Sequence, residues 1–244
     1  MTTVWASFGK RTSLEAVRDM VKVLILVEGQ TEEAFVKNLL AACLRKHGVA
    51  VVPVIVATKR LLTGDKKRGG YVPYPRLRAE ILRLLNDSSA ACVTTMLDFY
   101  GLAPEFPGRA SPIGNTALEK VTSVELACAT DIDNQRFVPY LAMHEFEAML
   151  FTVPTEIATS FGQPSLHTSL QAIRAAFKTP EDINDHEETA PSKRLGKLFP
   201  GYNKPFYGEL IAERIGIERI RSECAHFAAW LGKLESFGVS PVMV

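Results

Sequence analysis

The sequence predicts an α/β fold in which a parallel, doubly wound sheet is flanked by helices. Short apolar runs rich in β-branched residues alternate with segments whose apolar residues recur at helical spacing. Because strands that alternate with helices are joined by right-handed crossovers, this order is typical of a parallel sheet. With 244 residues, 47% hydrophobic and 23% charged, the chain can bury a sizeable core, which excludes global disorder.

The first strand is predicted at residues 21–27, an apolar run that ends where Glu28 begins a turn. Thr31 is expected to cap the following helix. Glu32 and Glu33 lie in its first turn, where the helix dipole favours negative charge. Further strands are predicted at residues 51–57, 92–97 and 137–143, with helices at residues 76–85 and 116–129 between them.

Three parts are predicted along the chain. Residues 1–20 form a poorly structured leader, and Met20 could be the natural start. Residues 21–153 form the α/β core, and residues 154–244 form a mainly helical extension that packs on it. In this extension we expect a helix at residues 166–177, an irregular stretch at residues 179–204 and one last helix. The apolar face of that last helix is formed by Ile220, Cys224, Phe227, Leu231 and Leu234.

Composition also bounds the compartment and the partners. The four cysteines are far apart and form no metal-binding or redox pair, so buried free thiols and a reducing cytoplasm are expected. The sequence has no signal-peptide pattern and no apolar run long enough to span a membrane, so no membrane partner is predicted. Since 28 Lys and Arg residues balance 27 Asp and Glu residues, net charge indicates no partner.

Acidic residues stand at the ends of three of the four predicted strands. Glu28 follows the first strand, Asp98 the third, and Glu145 and Glu147 the fourth. The carboxyl ends of parallel strands meet at one crevice, and Glu32 can face the same crevice from four residues after Glu28. Carboxylate oxygens are the ligands that Mg²⁺ prefers, and Mn²⁺ accepts them too. Without a cation, these charges would repel one another.

Several alternatives stay open for single residues of this set. Acidic residues are common at helix starts for structural reasons alone. Glu145 and Glu147 would point to the same side in an extended segment but would diverge in a helix. His144 could be a metal ligand, a catalytic base or a hydrogen-bonded core residue.

The segment at residues 27–32, VEGQTE, resembles the first metal motif of the Toprim family, the metal-binding domain of topoisomerases, primases and OLD-type nucleases. That family carries a Glu after its first strand and an Asp-x-Asp motif after its third. OLD-type nucleases also have a second Glu four residues after the first, as Glu32 is here. Asp98 matches the first Asp of the later motif, whereas Tyr100 stands where the second would be.

Three longer motifs are similar to a bacterial Toprim-like family that is catalogued as a domain of unknown function. They are LDFYG at residues 97–101, PY at 139–140 before HEFEA at 144–148, and PSKR at 191–194. This resemblance covers residues 21–235 and implies a relation to nucleases encoded beside ATPases in phage-defence loci. By the same resemblance, Arg194 and Lys204 are candidates to stabilise transition-state charge.

A basic, glycine-containing segment lies between the second strand and the second helix. Basic side chains contact phosphates and tyrosines stack on unpaired bases, so this segment is a candidate nucleic-acid surface. A solvated crossover is the alternative. The candidate residues are Lys59, Arg60, Lys66, Lys67, Arg68, Tyr71 and Arg76.

Together these features predict a Mg²⁺- or Mn²⁺-dependent endonuclease of Toprim type that acts on DNA or RNA as an antiviral effector. The sequence contains no nucleotide-binding P-loop, so a separately encoded ABC- or AAA-type ATPase is the expected partner, and a homo-oligomer is conceivable. Two rivals remain. One is a non-catalytic binding or regulatory subunit of an ATPase complex, and the other is a metal-dependent nucleotide-processing or phosphotransfer enzyme.

Overall fold

The structure, a computed structural model, describes residues 20–56, 72–184, 186 and 188–238. Within these residues, five parallel strands form one sheet with helices on both faces, which confirms the predicted α/β fold. The strands are β1 (Val21–Val27), β2 (Val49–Ile55), β3 (Ala90–Asp98), β4 (Phe137–Val138) and β5 (Leu141–Ala142). Their order is β2-β1-β3-β4, and β5 pairs with the last residues of β3.

Helices connect the strands and make up most of the chain after β5. Their bounds are α1 (Gln30–Phe35), α2 (Ala41–Arg45), α3 (Tyr74–Leu85), α4 (Ala117–Ile132), α5 (Pro154–Ser160), α6 (His167–Ala175), α7 (Pro191–Leu198), α8 (Lys204–Ile215), α9 (Ile217–Glu223) and α10 (Ala225–Ser236). A π-helical stretch, Val36–Leu40, joins α1 to α2, and 3-10 turns occur at Phe146–Thr152, Pro164–Leu166 and Pro180–Asp182.

The strand β1 divides the core because successive side chains point to opposite faces of a sheet. Val23, Ile25 and Val27 pack into one apolar cluster with α1 and the helices after β5. Leu24 and Leu26 pack into a second cluster with α3 and α4. Both faces of the sheet are thus buried, as parallel sheets require. The predicted boundary between core and extension at residue 153 stays a prediction.

The fourth strand was predicted as one piece, and this prediction was wrong because Pro139 interrupts it. Proline has no N–H to donate to a ladder. At the break, the buried Thr95 side chain takes the place of backbone pairing. Its hydroxyl donates to the Tyr140 carbonyl at 2.8 Å and accepts from the Tyr140 N–H at 2.9 Å. Beyond the break, β5 pairs with β3 in the same register as β4, so the chain continues along β3 as far as His144.

Three helix predictions also need correction. Helix α1 starts at Gln30 with Gly29 at its N-cap, so Thr31 is not the cap. The stretch predicted as irregular contains α7, and α8 begins at its last residue. The predicted last helix is two helices, because Cys224 leaves the helical conformation (φ −114°, ψ 90°) between α9 and α10.

The state of the cysteines and the lack of a membrane-spanning segment were both predicted from the sequence. All four cysteines are free and buried, as expected. Among the helices described, none is both long and apolar enough to cross a membrane. Residues 1–19, which the sequence predicts to be a leader, lie outside the described residues.

We expect Thr95→Val to destabilise the protein by about 1 to 3 kcal/mol. This near-isosteric change removes both hydrogen bonds to Tyr140 and leaves buried backbone groups without that partner. Urea unfolding would measure the loss. Thr122→Val is the matched control, because the Thr122 hydroxyl is exposed and bonds only within its own helix to the Leu118 carbonyl. Equal stability of the two variants would mean that the Thr95 contact is not needed at the break.

Candidate metal centre at the carboxyl edge of the sheet

The first two carboxylates are positioned by the turn between β1 and α1. Glu32 is buried, and its Oε2 accepts a hydrogen bond from the Gly29 N–H at 3.1 Å. The Glu32 side chain thus stabilises the start of its own helix while its other oxygen, Oε1, points away from that bond. Glu28 lies at the exposed side of the group, where its Oε2 accepts from the Asp98 N–H at 3.4 Å. A Cβ at Gly101 would lie 3.3 Å from the same oxygen, so a small residue suits that position.

Asp98 is the last residue of β3 and supplies the third carboxylate. It is buried, and its Oδ1 accepts a hydrogen bond from the Phe146 N–H at 2.8 Å. Phe146 begins the 3-10 turn after β5, so this bond ties the end of the central strand to the segment that carries Glu147.

Glu147 supplies the fourth carboxylate and is fully buried (0% exposed). Its Oε1 accepts a hydrogen bond from the Tyr202 hydroxyl at 3.2 Å. Burial and the neighbouring Glu147 raise the pKa of Tyr202, so this hydroxyl remains a donor at any physiological pH. No sequence pattern pointed to Tyr202, because it lies in a stretch without periodicity and its partner is 55 residues away.

The ammonium group of Lys204 lies among three of these carboxylates. Its Nζ is 3.1 Å from Glu147 Oε2, 3.3 Å from Asp98 Oδ2 and 3.6 Å from Glu32 Oε1. The sequence predicted mutual repulsion of the carboxylates without a cation, and the structure places a side-chain cation between them. Lys204, predicted as a catalytic residue, is therefore brought into the same centre as the predicted metal ligands.

Burial is the largest influence on the pKa values of Glu28, Glu32 and Glu147. It raises the pKa of the buried Glu147 to about 7, against the opposing attraction of Lys204, and Asp98 adds repulsion. Burial likewise raises the pKa of Glu32 although Lys204 opposes it. Loss of hydration, then repulsion by Asp98, raises the pKa of Glu28 to about 7.

The carboxylates act in turn on Lys204. Burial lowers the pKa of the lysine, but attraction to the surrounding carboxylates, Asp98 first, outweighs burial and holds this pKa well above its usual value. Lys204 is thus charged. The centre combines this permanent positive charge with acidic groups whose ionised form is destabilised by burial.

The question left open for Glu145 and Glu147 is decided by the local backbone. Glu145 is extended (φ −142°, ψ 155°), and the 3-10 turn starts one residue later. The two carboxylates therefore have different partners, although Glu145 remains near enough that, after burial, its repulsion also raises the pKa of Glu147. Glu145 accepts hydrogen bonds from the Ser192 N–H at 2.9 Å and its hydroxyl at 3.0 Å, at the start of α7, whereas Glu147 faces Lys204. His144 is buried in the same segment.

Arg194 makes its contacts away from the carboxylates. Its Nε donates to the Thr189 carbonyl at 2.6 Å, its Nη2 donates to Asn184 Oδ1 at 3.2 Å, and its guanidinium lies 5.6 Å from the centre of the Phe177 ring. These contacts stabilise the segment before α7, which is a structural role for this side chain.

Most of the predicted nucleic-acid surface lies outside the described residues, namely Lys59, Arg60, Lys66, Lys67, Arg68 and Tyr71. Arg76 is described and lies half-buried in α3. The chain enters the basic segment directly after Val56, whose N–H donates to the Val27 carbonyl at 2.9 Å. Val56, the last described residue before this segment, therefore lies beside the strand end that precedes Glu28.

The carboxylate oxygens of this centre are suitable ligands for a hard cation such as Mg²⁺. Glu32 Oε1 and Glu147 Oε2 are buried and have no hydrogen-bond partner among the described residues, so both keep acceptor capacity directed into the centre. Across that part of the chain, however, no three His, Cys, Asp or Glu side chains are already arranged as a metal-ligand set. The Lys204 ammonium instead lies between the carboxylates.

Two solved structures are similar to this chain. One is the C-terminal region of the Burkholderia pseudomallei OLD protein, with 15% identity, a TM-score of 0.43, and coverage of 90% of this chain and 100% of that one. The other is the C-terminal region of the Xanthomonas campestris pv. campestris OLD protein, with 14% identity, a TM-score of 0.36, and coverage of 86% and 96%. Likenesses this distant carry no conclusion about activity.

A search of curated proteins found no match. A family model does match, over residues 27–235, a range that includes all five members of the centre, from Glu28 to Lys204. Because this match spans most of the chain, the protein belongs to the family described as Domain of unknown function (DUF4276).

Proposed function

We propose that this protein is a divalent-metal-dependent endonuclease of Toprim type. The observation that carries the proposal is the convergence of four carboxylates, from three separate parts of the chain, on one cationic centre at the carboxyl edge of a parallel sheet. Ligands and substrates bind at this edge in open α/β sheets. Burying so many acidic groups destabilises a fold, which argues for a function that needs them.

Glu28 and Asp98 would hold one Mg²⁺ or Mn²⁺ ion, and Glu32 with Glu147 would hold a second. Such a pair, when bound, supplies stabilisation of the attacking and leaving oxygens in an in-line displacement. The protein's own groups hold this set in place: the Phe146 N–H orients Asp98, and the Tyr202 hydroxyl orients Glu147. Because Glu145 is bonded to Ser192, Glu147 is the better ligand of the two.

Lys204 and the basic segment would act on the nucleic acid. The Lys204 ammonium can neutralise charge on a phosphoryl oxygen beside the carboxylates. The basic segment follows Val56 in the chain, and Val56 pairs with Val27 beside Glu28, which supports a role for its lysines and arginines in binding the phosphates of a polymer. His144 remains a candidate base from the same edge. Control by a partner ATPase, as in a phage-defence system, is part of the proposal because the sequence lacks a P-loop.

One observation favours a second candidate, a non-catalytic binding or regulatory subunit. A resident lysine that satisfies the carboxylates would make a metal unnecessary, and the described residues hold no preformed ligand set. Metal-dependent cleavage of a polymer separates the two candidates. A preference for free nucleotides would instead favour a nucleotide-processing enzyme.

We expect Asp98→Asn and Glu147→Gln each to lower Mn²⁺- or Mg²⁺-dependent cleavage by about a hundredfold or more, since each removes a charged ligand of the proposed metal pair. Cleavage of single- and double-stranded DNA and RNA would be measured, with the partner ATPase present if the isolated chain is silent. Glu33→Gln is the matched control. Glu33 lies in the same helix start but pairs outward with Lys37 at 2.6 Å. Normal cleavage by both site variants would sink the proposal.

The raised pKa of Glu28 predicts a pH-dependent effect on stability. Between its ordinary value of 4.5 and the folded value of about 7, the folded protein binds more protons at Glu28 than the unfolded chain does. The free energy of unfolding therefore falls as pH rises through this window. Metal-free Glu28→Gln should match wild type at about pH 4 and melt no lower, or higher, at about pH 8.

Thermal melts at both pH values, with and without Mn²⁺, would check this prediction. Wild type should gain more from Mn²⁺ at about pH 8 than Glu28→Gln does, since a ligand that binds only the folded state stabilises it by mass action. Glu33→Gln, the same charge change outside the centre, controls for general charge effects. A variant that melts lower than wild type at the higher pH would contradict the prediction.

For the basic segment, we expect the triple change Lys66→Gln, Lys67→Gln and Arg68→Gln to weaken nucleic-acid binding and flatten its salt dependence. The slope of log affinity against log salt should fall by nearly one for each lost phosphate contact. Filter binding at several salt concentrations would measure it. Lys197→Gln, at an exposed lysine of α7, is the control. An unchanged slope in the triple variant would mean that the segment is a solvated crossover.

A further inference from the structure

The Lys204 ammonium is the one positive charge among the described members of the centre, and its side chain is partly exposed. We propose that Lys204 is an exchangeable resident cation: it neutralises the carboxylates in the metal-free protein, and it must withdraw from them when a divalent cation binds. This inference rests on the proposed metal-dependent function and describes how the same site is regulated. It assigns Lys204 two positions, one among the carboxylates and one on the substrate.

The contacts of Lys204 give strong electrostatic attraction, but they do not form a complete set of hydrogen bonds. It donates a hydrogen bond to Asp98 Oδ2 at 3.3 Å. Glu147 Oε2 at 3.1 Å and Glu32 Oε1 at 3.6 Å are ion-paired with it, and apart from this one ammonium neither buried oxygen has a hydrogen-bond partner among the described residues. Buried acceptors without hydrogen bonds are destabilising. A divalent cation carries twice the charge and binds oxygens without directional protons, so it would satisfy this set better.

Two of the carboxylates are held more firmly than the lysine. Glu147 and Glu32 side chains are 0% and 4% exposed, and each is held by a further hydrogen bond. The Lys204 side chain is 35% exposed, far more than either of them. Its flexible four-carbon stem lets the ammonium move without any change in the backbone. Exchange of the ammonium for a divalent cation therefore requires the Lys204 side chain to move.

The helix that carries Lys204 cannot move with it. Lys204 is the first residue of α8, and Asn203 caps this helix by accepting from the Phe206 N–H at 3.3 Å. One turn further on, a Cβ at Gly208 would lie only 2.8 Å from Thr31 Cγ2, so α8 packs tightly against α1. The positive end of the α8 dipole also disfavours a lysine at this position. The carboxylates, and not the helix, hold the ammonium in place.

Exchange has a consequence for substrate binding. A divalent cation must displace an ammonium before it gains the carboxylates, so metal affinity is lower than four carboxylates would otherwise give. A phosphodiester beside the centre would accept the displaced ammonium and thereby favour the exchange. Metal and nucleic acid should then strengthen each other's binding, as reciprocal linkage requires. The free protein would stay poorly loaded with metal, and hence silent, until substrate arrives.

Calorimetric titration of Mn²⁺ into wild type, Lys204→Met and Lys37→Met tests the exchange. Lys204→Met removes the competing charge and should bind Mn²⁺ about tenfold tighter or more than wild type. It should also melt lower without metal and gain more on adding Mn²⁺. Lys37→Met, which removes an exposed lysine paired with Glu33, should bind like wild type. Equal or weaker binding by Lys204→Met would overturn the inference, since Lys204 would then act beside the metal.

Amine labelling of the wild-type protein gives a second readout that needs no variant. Lys204, held by three carboxylates, should label slowly without metal and several-fold faster at saturating Mn²⁺, as mass spectrometry of the labelled peptide would show. Lys197, an exposed lysine of α7, should label equally in both states. Unchanged or slower labelling of Lys204 at saturating Mn²⁺ would overturn the exchange.

The same titrations separate failure of the inference from failure of the proposed function. If neither wild type nor Lys204→Met binds Mn²⁺, the metal-dependent reaction itself is excluded. If Lys204→Met binds Mn²⁺ but wild type does not, even with nucleic acid present, Lys204 is a permanent occupant and the exchange is overturned. Binding by wild type that tightens with nucleic acid supports both.

Discussion

The burial of negative charge at the carboxyl edge of the sheet is the constraint on which the rest of the structure depends. Four carboxyl groups gather around one ammonium, and burial raises the pKa of Glu32 and Glu147 even though Lys204 opposes it. The loss of hydration destabilises the ionised carboxylates by more than their attraction to one lysine stabilises them. A chain that only needed stability would place apolar side chains here. The buried charge therefore makes this part of the fold less stable than an apolar core would be.

The elements around the centre are arranged to hold that charge in place. After the interruption at Pro139, β5 resumes pairing with the end of β3, and the 3-10 turn that follows places the Phe146 N–H on Asp98. Glu145 then fastens the same segment to the start of α7 through Ser192. The helices after β5 share an apolar cluster with one face of β1, which brings Tyr202 and Lys204 over the sheet edge. The helical extension is thus part of the site.

The behaviour of Lys204 distinguishes the two candidate functions of the centre. A lysine among the carboxylates gives a stable metal-free protein, and it offers a group of the right charge for a phosphodiester once it is displaced. The same lysine is also what a purely structural centre would contain, so the nuclease and the binding subunit share one geometry. They differ in whether the ammonium yields to a divalent cation, which is a question of relative affinity.

The parallel α/β fold and the acidic residues at the strand ends could be predicted from the sequence, because apolar periodicity and strand-end position are local properties of the chain. The gathering of Glu28, Glu32 and Asp98 also follows from sequence, since parallel strands must end at one edge. Packing between distant segments places Glu147, and not Glu145, beside them and puts Lys204 between them. Lys204 is 106 residues from Asp98, and no local pattern encodes a contact made by packing over such a separation.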